Sequence, residues 1–371
     1  MNESLSKPLK IAIDFGFHSI KAASFNESEC ITFSLPSVVG VGDTSIGLLK
    51  TGISRAKKDV PYTVVYKGQS YLVGPFVSKF CRPVERVDFD RLIDCIELRV
   101  MIYAALSGLI GKLATSDAEN SKNNSYNVTL VIALPVQVLQ SETAKKTVRD
   151  IANWLEGYHE FSVDKLGWDI NVIQIIPMAQ PLGRYFEWGL NNDGSWGLSK
   201  FDFNSSVGIL DQGFNTIDLL HVQEGQIIRR FTGGETLGQR RAAHLIQKEI
   251  FTLTSRKLTL HEADEIFIKH LLNSQDTDHY QGIADISAVC KKVFDMSIGE
   301  LRSFLEQYWD NGKQFDVILL SGGGSIVLQY YIASMYRHLE IPAQPVFSNA
   351  IGFSKFAQRK NLFKRVSNWV A

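Results

Sequence analysis

Two aspartates, each closing an apolar run and each followed two residues later by glycine, are the residues of this 371-residue chain best suited to chemistry. The first stands in Ile11-Ala12-Ile13-Asp14-Phe15-Gly16-Phe17-His18-Ser19-Ile20-Lys21. The second stands in Val207-Gly208-Ile209-Leu210-Asp211-Gln212-Gly213-Phe214-Asn215-Thr216-Ile217-Asp218. Each reads as strand, turn, strand. A third turn, Gly322-Gly323-Gly324-Ser325, lies between an apolar run at 315–320 and a helix pattern from Ile326. A nucleoside triphosphate with its magnesium needs backbone N–H groups brought close by small residues, a balancing cation, and carboxylates that hold the metal through its waters. Asp14, Gly16 and Lys21 offer such a set on the first turn; Asp211, Gly213 and the Thr216 hydroxyl offer it on the second. The glycines of the third turn let a flat base or ribose pack on backbone, and the helix N-terminus behind them favours an anion. Any one of these turns is more often plain turn chemistry. Two alike, most of a domain apart, with the third following, suggest related halves facing one ligand.

The composition permits this. The length calls for two domains, and 45% hydrophobic with 21% charged residues is ordinary for a soluble globular protein. With 39 basic and 39 acidic side chains the formal charge is +0, which gives no reason to expect direct contact with nucleic acid or acidic lipid. Cys30, Cys81, Cys95 and Cys290 are scattered, without a C-x-x-C pair, and read as reduced cytosolic thiols. Residues 1–10 are polar and no run approaches a membrane span, so the expected location is the cytoplasm.

Strand and helix patterns alternate, the mark of an α/β architecture. After the first hairpin, residues 30–39 read as a further strand and 50–58 as a basic surface loop. Residues 62–66 and 70–73 form a hairpin about Lys67-Gly68-Gln69, and 90–112 a long helix. A Ser/Asn-rich loop at 115–127 leads to a buried strand at 128–134 closed by Pro135. A helix at 141–156 with Ser141 as N-cap, a strand at 172–176 ended by Pro177, and a helix at 179–189 follow. The polar stretch 190–206 is the expected crossing into the second half. There, helices are expected at 237–252, 261–272 and 283–308.

The constellation resembles the actin, sugar-kinase and heat-shock-chaperone ATPase superfamily. Residues 14–21 match its first phosphate loop, 211–218 its second (D-x-G-x-x-T-x-D), and 320–325 its adenosine motif. Within it the chain is most similar to the ParM/StbA-type plasmid-segregation actins. The carrying segments are Tyr71-Leu72-Val73-Gly74, Leu134-Pro135-Val136, Thr232-Gly233-Gly234-Glu235-Thr236-Leu237-Gly238, and Pro345-Val346-Phe347-Ser348-Asn349-Ala350-Ile351-Gly352-Phe353. Pro177-Met178-Ala179-Gln180-Pro181-Leu182-Gly183 resembles the helix that connects the halves in bacterial actins. The resemblance implies an actin-like two-domain fold with duplicated RNase H-like halves and a nucleotide cleft between them. Domain I would be 1–189 completed by 340–371, and domain II 190–339. It implies ATP or GTP with Mg2+ as cofactors, slow hydrolysis coupled to polymerisation, self-assembly into filaments, and a role in plasmid partition. DNA would be reached through a separate centromere-binding adaptor.

The implied nucleotide-binding set is Asp14, Gly16, Phe17, His18, Ser19 and Lys21; Asp211, Gln212, Gly213, Phe214, Asn215 and Thr216; Gly234 and Glu235; and Gly322, Gly323, Gly324 and Ser325. Asp14 and Asp211 would hold the metal through water, with Asp211 and Gln180 as catalytic residues. Two departures stand out. Relatives usually carry Ser or Thr directly after the first-loop glycine, where this chain has Phe17, leaving backbone N–H groups or Ser19 to serve. Many relatives also carry an acidic residue, which positions the attacking water, near the connecting-helix proline. Here Ile176 and Met178 flank Pro177, and Gln180 is the nearest amide, able to orient water but a poor proton acceptor, or else a plain solvent-facing residue.

Rival readings are weighed beside this one. Asp14-Phe15-Gly16 spells a protein-kinase tripeptide, but no H-R-D-type loop accompanies it. A small-molecule kinase of the same superfamily would need a substrate-facing carboxylate, and none stands out. A non-polymerising ATP-binding scaffold remains a second alternative. His261 and His270 read as solvated helix residues. The stripe Phe353, Phe356, Phe363, Val366 and Val370 reads as a terminal helix docked on the first domain rather than a membrane-surface helix.

Overall fold

The computed structural model describes residues 7–27, 29–44, 60–84, 95–116, 124–136, 142–197, 202, 204–272, 279–280, 283–284 and 286–359. The expected loop at 50–58, Ser141 as N-cap, and the part of the C-terminal stripe beyond Arg359 lie outside these residues. Two compact units form. The first comprises 1–134, 138–197 and 349–371, the second 135–137 and 198–348.

The first unit holds strands β1 (Leu9–Phe15), β2 (Ser19–Asn26), β3 (Glu29–Pro36), β4 (Val39–Val41), β5 (Tyr62–Tyr66) and β6 (Gln69–Val73). Helix α1 (Ile96–Ser116), β7 (Ser125–Leu134), α2 (Glu142–Leu155), β8 (Gly157–Val163), β9 (Leu166–Ala179) and α3 (Pro181–Gly189) follow. The strands form one nine-stranded sheet in the order β3-β2-β1-β7-β9-β8-β5-β6-β4. β1, β7 and β9 are mutually parallel at its centre. Ile11, Ala12, Ile13 and Leu130 to Leu134 are fully buried, the continuous apolar run that a strand covered on both faces requires.

Two elements differ from expectation. The strand expected to stop at Ile176 runs on to Ala179, with Ile132 paired to Pro177. β8 begins at Gly157, opposite Val172, so beyond that point one flank of β9 lacks a β8 partner, and a proline without an N–H is tolerated there. The β8–β9 hairpin itself turns at Asp164-Lys165, both at positive φ. Residues other than glycine or asparagine rarely signal such a turn, although the alternating burial of His159, Phe161 and Val163 carries the two-residue period of a strand.

The second unit holds β10 (Val207–Gln212), β11 (Ile217–Gln223), β12 (Gln226–Ile227), β13 (Gly233–Glu235), α4 (Gln239–Thr254) and α5 (Leu260–Leu272). Then come β14 (His279–Tyr280), β15 (Ile283–Ala284), α6 (Ile286–Trp309), β16 (Val317–Ser321), α7 (Ser325–Met335) and β17 (Leu339–Glu340). The chain returns through α8 (Ser348–Ala357), which from Asn349 belongs to the first unit. The larger sheet has the order β12-β11-β10-β16-β17, with β13 beside β11. One core lies between this sheet and α6 and α7. A second lies among α4, α5 and α6. The α5 helix packs against α4 and α6 in the second of these cores. His270 is buried and His261 stacks its ring on Phe214, which corrects the reading of both as solvated.

In the first unit, α8 docks on α3. A Cβ on Gly183 or Gly352 would collide with the facing helix backbone, so glycine permits the close approach. Phe186 stacks on Phe356 at 4.5 Å. Among the described residues no helix is long and apolar enough to cross a membrane.

Candidate functional site

Each unit carries one aspartate turn, built the same way. In the first, β1 pairs antiparallel with β2 and parallel with β7; in the second, β10 pairs antiparallel with β11 and parallel with β16. Both aspartates thus sit at the carboxyl end of a central parallel strand, where open α/β sheets place their ligands. The cross-strand neighbours occupy the same place, seven residues on. Asp14 faces Lys21, while Asp211 faces Asp218.

The first turn is held tightly. Asp14 is 3% exposed, with Lys21 Nζ 3.5 Å from its Oδ2. Gln180, immediately before α3, donates from Nε2 to Asp14 Oδ1 at 2.7 Å and lies 3.3 Å from the Phe15 carbonyl. At 9% exposure Gln180 is no solvent-facing helix residue. Its backbone N–H donates to the Leu134 carbonyl at 2.7 Å, so β7 fixes the entry into α3. Gly16 donates to the Asp14 carbonyl at 3.1 Å, and a Cβ there would collide with the Ser19 carbonyl and sit against Lys21 Nζ. Phe17, His18 and Ser19 are half-buried.

In the second turn Asp211, Gln212, Thr216 and Asp218 are all buried. The turn is closed by Gly213 N–H on the Thr216 carbonyl at 2.9 Å. The Thr216 hydroxyl donates to Asp218 Oδ2 at 3.0 Å, so it braces Asp218 from within the turn. Burial, with the Asp211 carboxylate opposite, pushes the Asp218 carboxyl up to about 8, while Thr216 and the Val136 backbone pull the other way. Asp211 and Asp218 thus form a buried pair of neighbouring carboxyls, donors of the kind a hydrated divalent ion takes. Sequence reading gave Asp218 no role beyond the motif.

The start of α4 closes the other side of this turn. Gly238 N–H reaches the Asn215 carbonyl at 3.2 Å, Gln239 N–H the Gly213 carbonyl at 3.5 Å, and Arg240 N–H the Phe214 carbonyl at 2.5 Å. In a trans peptide the following N–H points opposite to the carbonyl. Three carbonyls turned to α4 thus direct the N–H groups of Phe214, Asn215 and Thr216 away from it, the arrangement of an anion nest. Gly238 is needed, because a Cβ there would collide with the Phe214 carbonyl. Arg240 also reaches Asn215 Oδ1 at 3.3 Å.

The glycine turn belongs to the same cluster. Asp211 pairs with Ser321, which brings Gly322 against the second turn. Gly322 has φ +88, and a Cβ on it would collide with the Gln212 carbonyl and Asp211 Oδ1. Gly324 N–H donates to the Gln212 carbonyl at 3.0 Å. Gly323 faces open space. Ser325 is buried, its hydroxyl on the Gly322 carbonyl at 2.6 Å, so it caps the turn. Gly234 pairs with Asp218 and Glu235 with Ile217 on β13, which puts them beside the second hairpin, Glu235 exposed. Among the described residues no group of three or more His, Cys, Asp and Glu side chains forms a metal cluster.

A family model described as "Actin like proteins N terminal domain" matches residues 12–183. A search of curated protein sequences finds no match. Solved structures do match. Apo psk41 ParM is 19% identical, with a TM-score of 0.66 over 97% of this chain and 99% of that one. A 15-stranded ParM filament from Clostridium botulinum is 18% identical, with a TM-score of 0.69 over 95% and 99%. Ta0583, an archaeal actin homolog in complex with ADP, is 14% identical, with a TM-score of 0.67 over 95% and 100%. The chain has the fold of these actin-like structures, and residues 12–183 match the model of the N-terminal domain of actin-like proteins.

Proposed function

We propose that this protein is a nucleotide-dependent, filament-forming ATPase that serves plasmid segregation in the cytoplasm. The observation that carries the reading is the pair of like-built aspartate turns, one with its lysine and the other with its nest of N–H groups and neighbouring glycine turn. The ligand is ATP or GTP with magnesium. The Phe214, Asn215 and Thr216 N–H groups and Lys21 take phosphate oxygens, and the open face at Gly323 receives the nucleoside. Asp14 and Asp211 hold the waters of the metal, and magnesium bound there would neutralise charge on the phosphates. Gln180 spends its N–H on Asp14 and presents Oε1 to an attacking water, which an amide orients but barely deprotonates, so turnover is slow.

The solved ParM filament supports self-assembly as the use of this chemistry. The neutral charge of the chain supports a DNA-binding adaptor between filament and plasmid, not direct contact. Pelleting and light scattering of the purified protein with ATP, GTP, ADP or no nucleotide test this reading. Polymer that forms with the triphosphate and falls away as it is consumed is the expected result. Nucleotide bound without polymer favours a scaffold, and turnover that requires an added small-molecule acceptor favours a kinase. No nucleotide binding at all would sink the reading.

A further inference from the structure

Phe17 removes the hydroxyl that would otherwise follow the first-turn glycine, and the structure supplies a hydroxyl from elsewhere. Ser37, just beyond β3, donates from Oγ to the Gly16 carbonyl at 2.6 Å. Its backbone N–H donates to the His18 carbonyl at 2.8 Å. Ser37 is 7% exposed, and the next residue is tied down as well, with the Val38 carbonyl accepting from Gly74 N–H at 2.9 Å. No other described side-chain hydrogen bond to the Gly16 carbonyl accompanies that of Ser37.

The geometry points to Ser37 as the positioning residue of the first phosphate turn. It draws the Gly16 and His18 carbonyls to one side, and in trans peptides the N–H groups of Phe17 and Ser19 then point to the other. A turn whose N–H groups are fixed before the ligand arrives binds an anion without the cost of ordering them. In this chain the hydroxyl acts from behind the turn rather than on the phosphates, so Phe17 replaces a contact without leaving the turn slack. The inference rests on the reading of this turn as a phosphate site.

The test is binding of adenosine, ADP and ATP to wild type, Ser37→Ala and Ser34→Ala, with thermal unfolding measured on each. Ser34 is exposed on β3, the strand that leads into Ser37, and serves as the control. Loss of one positioned hydrogen bond should weaken ADP and ATP about five- to tenfold. Adenosine, which has no phosphate to offer the turn, should bind Ser37→Ala as it binds wild type, and Ser34→Ala should match wild type throughout. Equal weakening of adenosine and ATP, or unchanged binding of all three, overturns the inference while leaving the nucleotide site in place. Wild type that binds no nucleotide overturns the site itself. Should Ser37→Ala unfold early, Ser37→Thr decides, because it keeps the hydroxyl. ADP binding within twofold of wild type supports the positioning role, and a phosphate-specific loss refutes it.

Discussion

Gln180 and Asp14, 166 residues apart in sequence, share a 2.7 Å hydrogen bond from the glutamine Nε2 to the aspartate Oδ1. The same nitrogen lies near the Phe15 carbonyl, and since both partners only accept, the amide has one consistent orientation, with Oε1 turned away. Lys21 holds the other oxygen of Asp14. The carboxylate is therefore fixed by two side chains from two different elements, and its placement does not depend on a ligand. Preorganisation of this kind is a large contributor to catalysis in many enzymes.

Gln180→Ala should slow nucleotide hydrolysis by roughly tenfold or more, the range typical of a lost positioned polar group, and should lengthen the life of any filament. Gln180→Glu sets a second carboxyl against Asp14, and two carboxylates at hydrogen-bond distance cannot both ionise easily. Its turnover should recover as pH is lowered and the new carboxyl regains a proton. Single-turnover rates from pH 5 to pH 8 check both variants. A pH-independent Glu variant would mean that the two side chains do not meet.

Asp211→Ala should abolish magnesium-dependent turnover and leave the fold intact. Asp211 is nearly buried and faces Asp218 across the hairpin. Removing it relieves like-charge repulsion on a carboxyl that burial and Asp211 together push up to about 8. The metal-free variant should therefore be as stable as wild type or more so in thermal unfolding, while hydrolysis with magnesium is lost. Unchanged turnover would take Asp211 out of the metal site.

What the sequence made legible follows from local chemistry. Asp-x-Gly between apolar runs specifies a hairpin at a strand end, so β1–β2 and β10–β11 stand where their residues place them. Pro181 opens α3 because its fixed φ and missing N–H suit a first helical position. What was hidden depends on partners distant in sequence. Pro177 is tolerated inside β9 because β8 begins only at Gly157, opposite Val172, and Gln180 is buried because Asp14 lies opposite. Ser37 caps the first turn from the end of another strand. No spacing rule along one strand reports contacts of this kind.

Asp264 predicts a pH dependence of stability unconnected with the two aspartate turns. It lies on α5 with 1% exposure, and burial pushes its carboxyl up to about 7, with the neighbouring Gln239 side chain partly offsetting the shift. An unfolded aspartate titrates near about 3.9. The native state holds the proton longer than the unfolded chain, so this group's stabilising contribution is complete below about pH 4 and is lost as pH rises toward about 7. Asp264→Asn, permanently neutral, should match wild type near pH 5 and unfold at a higher temperature than wild type near pH 8. Thermal scans at the two pH values check it, and a variant less stable at both would show that the ionised carboxylate is the native form.

Gly322 and Gly323 stand side by side and should respond oppositely to alanine. Gly322 has φ +88, in the left-handed region, and its added Cβ would collide with the Gln212 carbonyl and Asp211 Oδ1. A collision with backbone cannot be relieved by a side-chain rotation, so Gly322→Ala should cost about 2–4 kcal/mol of stability and displace the second turn. Gly323 meets nothing within 4 Å of an added Cβ and keeps an ordinary φ. Gly323→Ala should unfold like wild type, because the methyl enters open space. If that open face receives the nucleoside, the same methyl should weaken nucleotide binding while stability is untouched. Thermal unfolding and nucleotide titration of both variants separate a glycine needed for the fold from one needed for the ligand. Full nucleotide affinity in Gly323→Ala would place the nucleoside elsewhere.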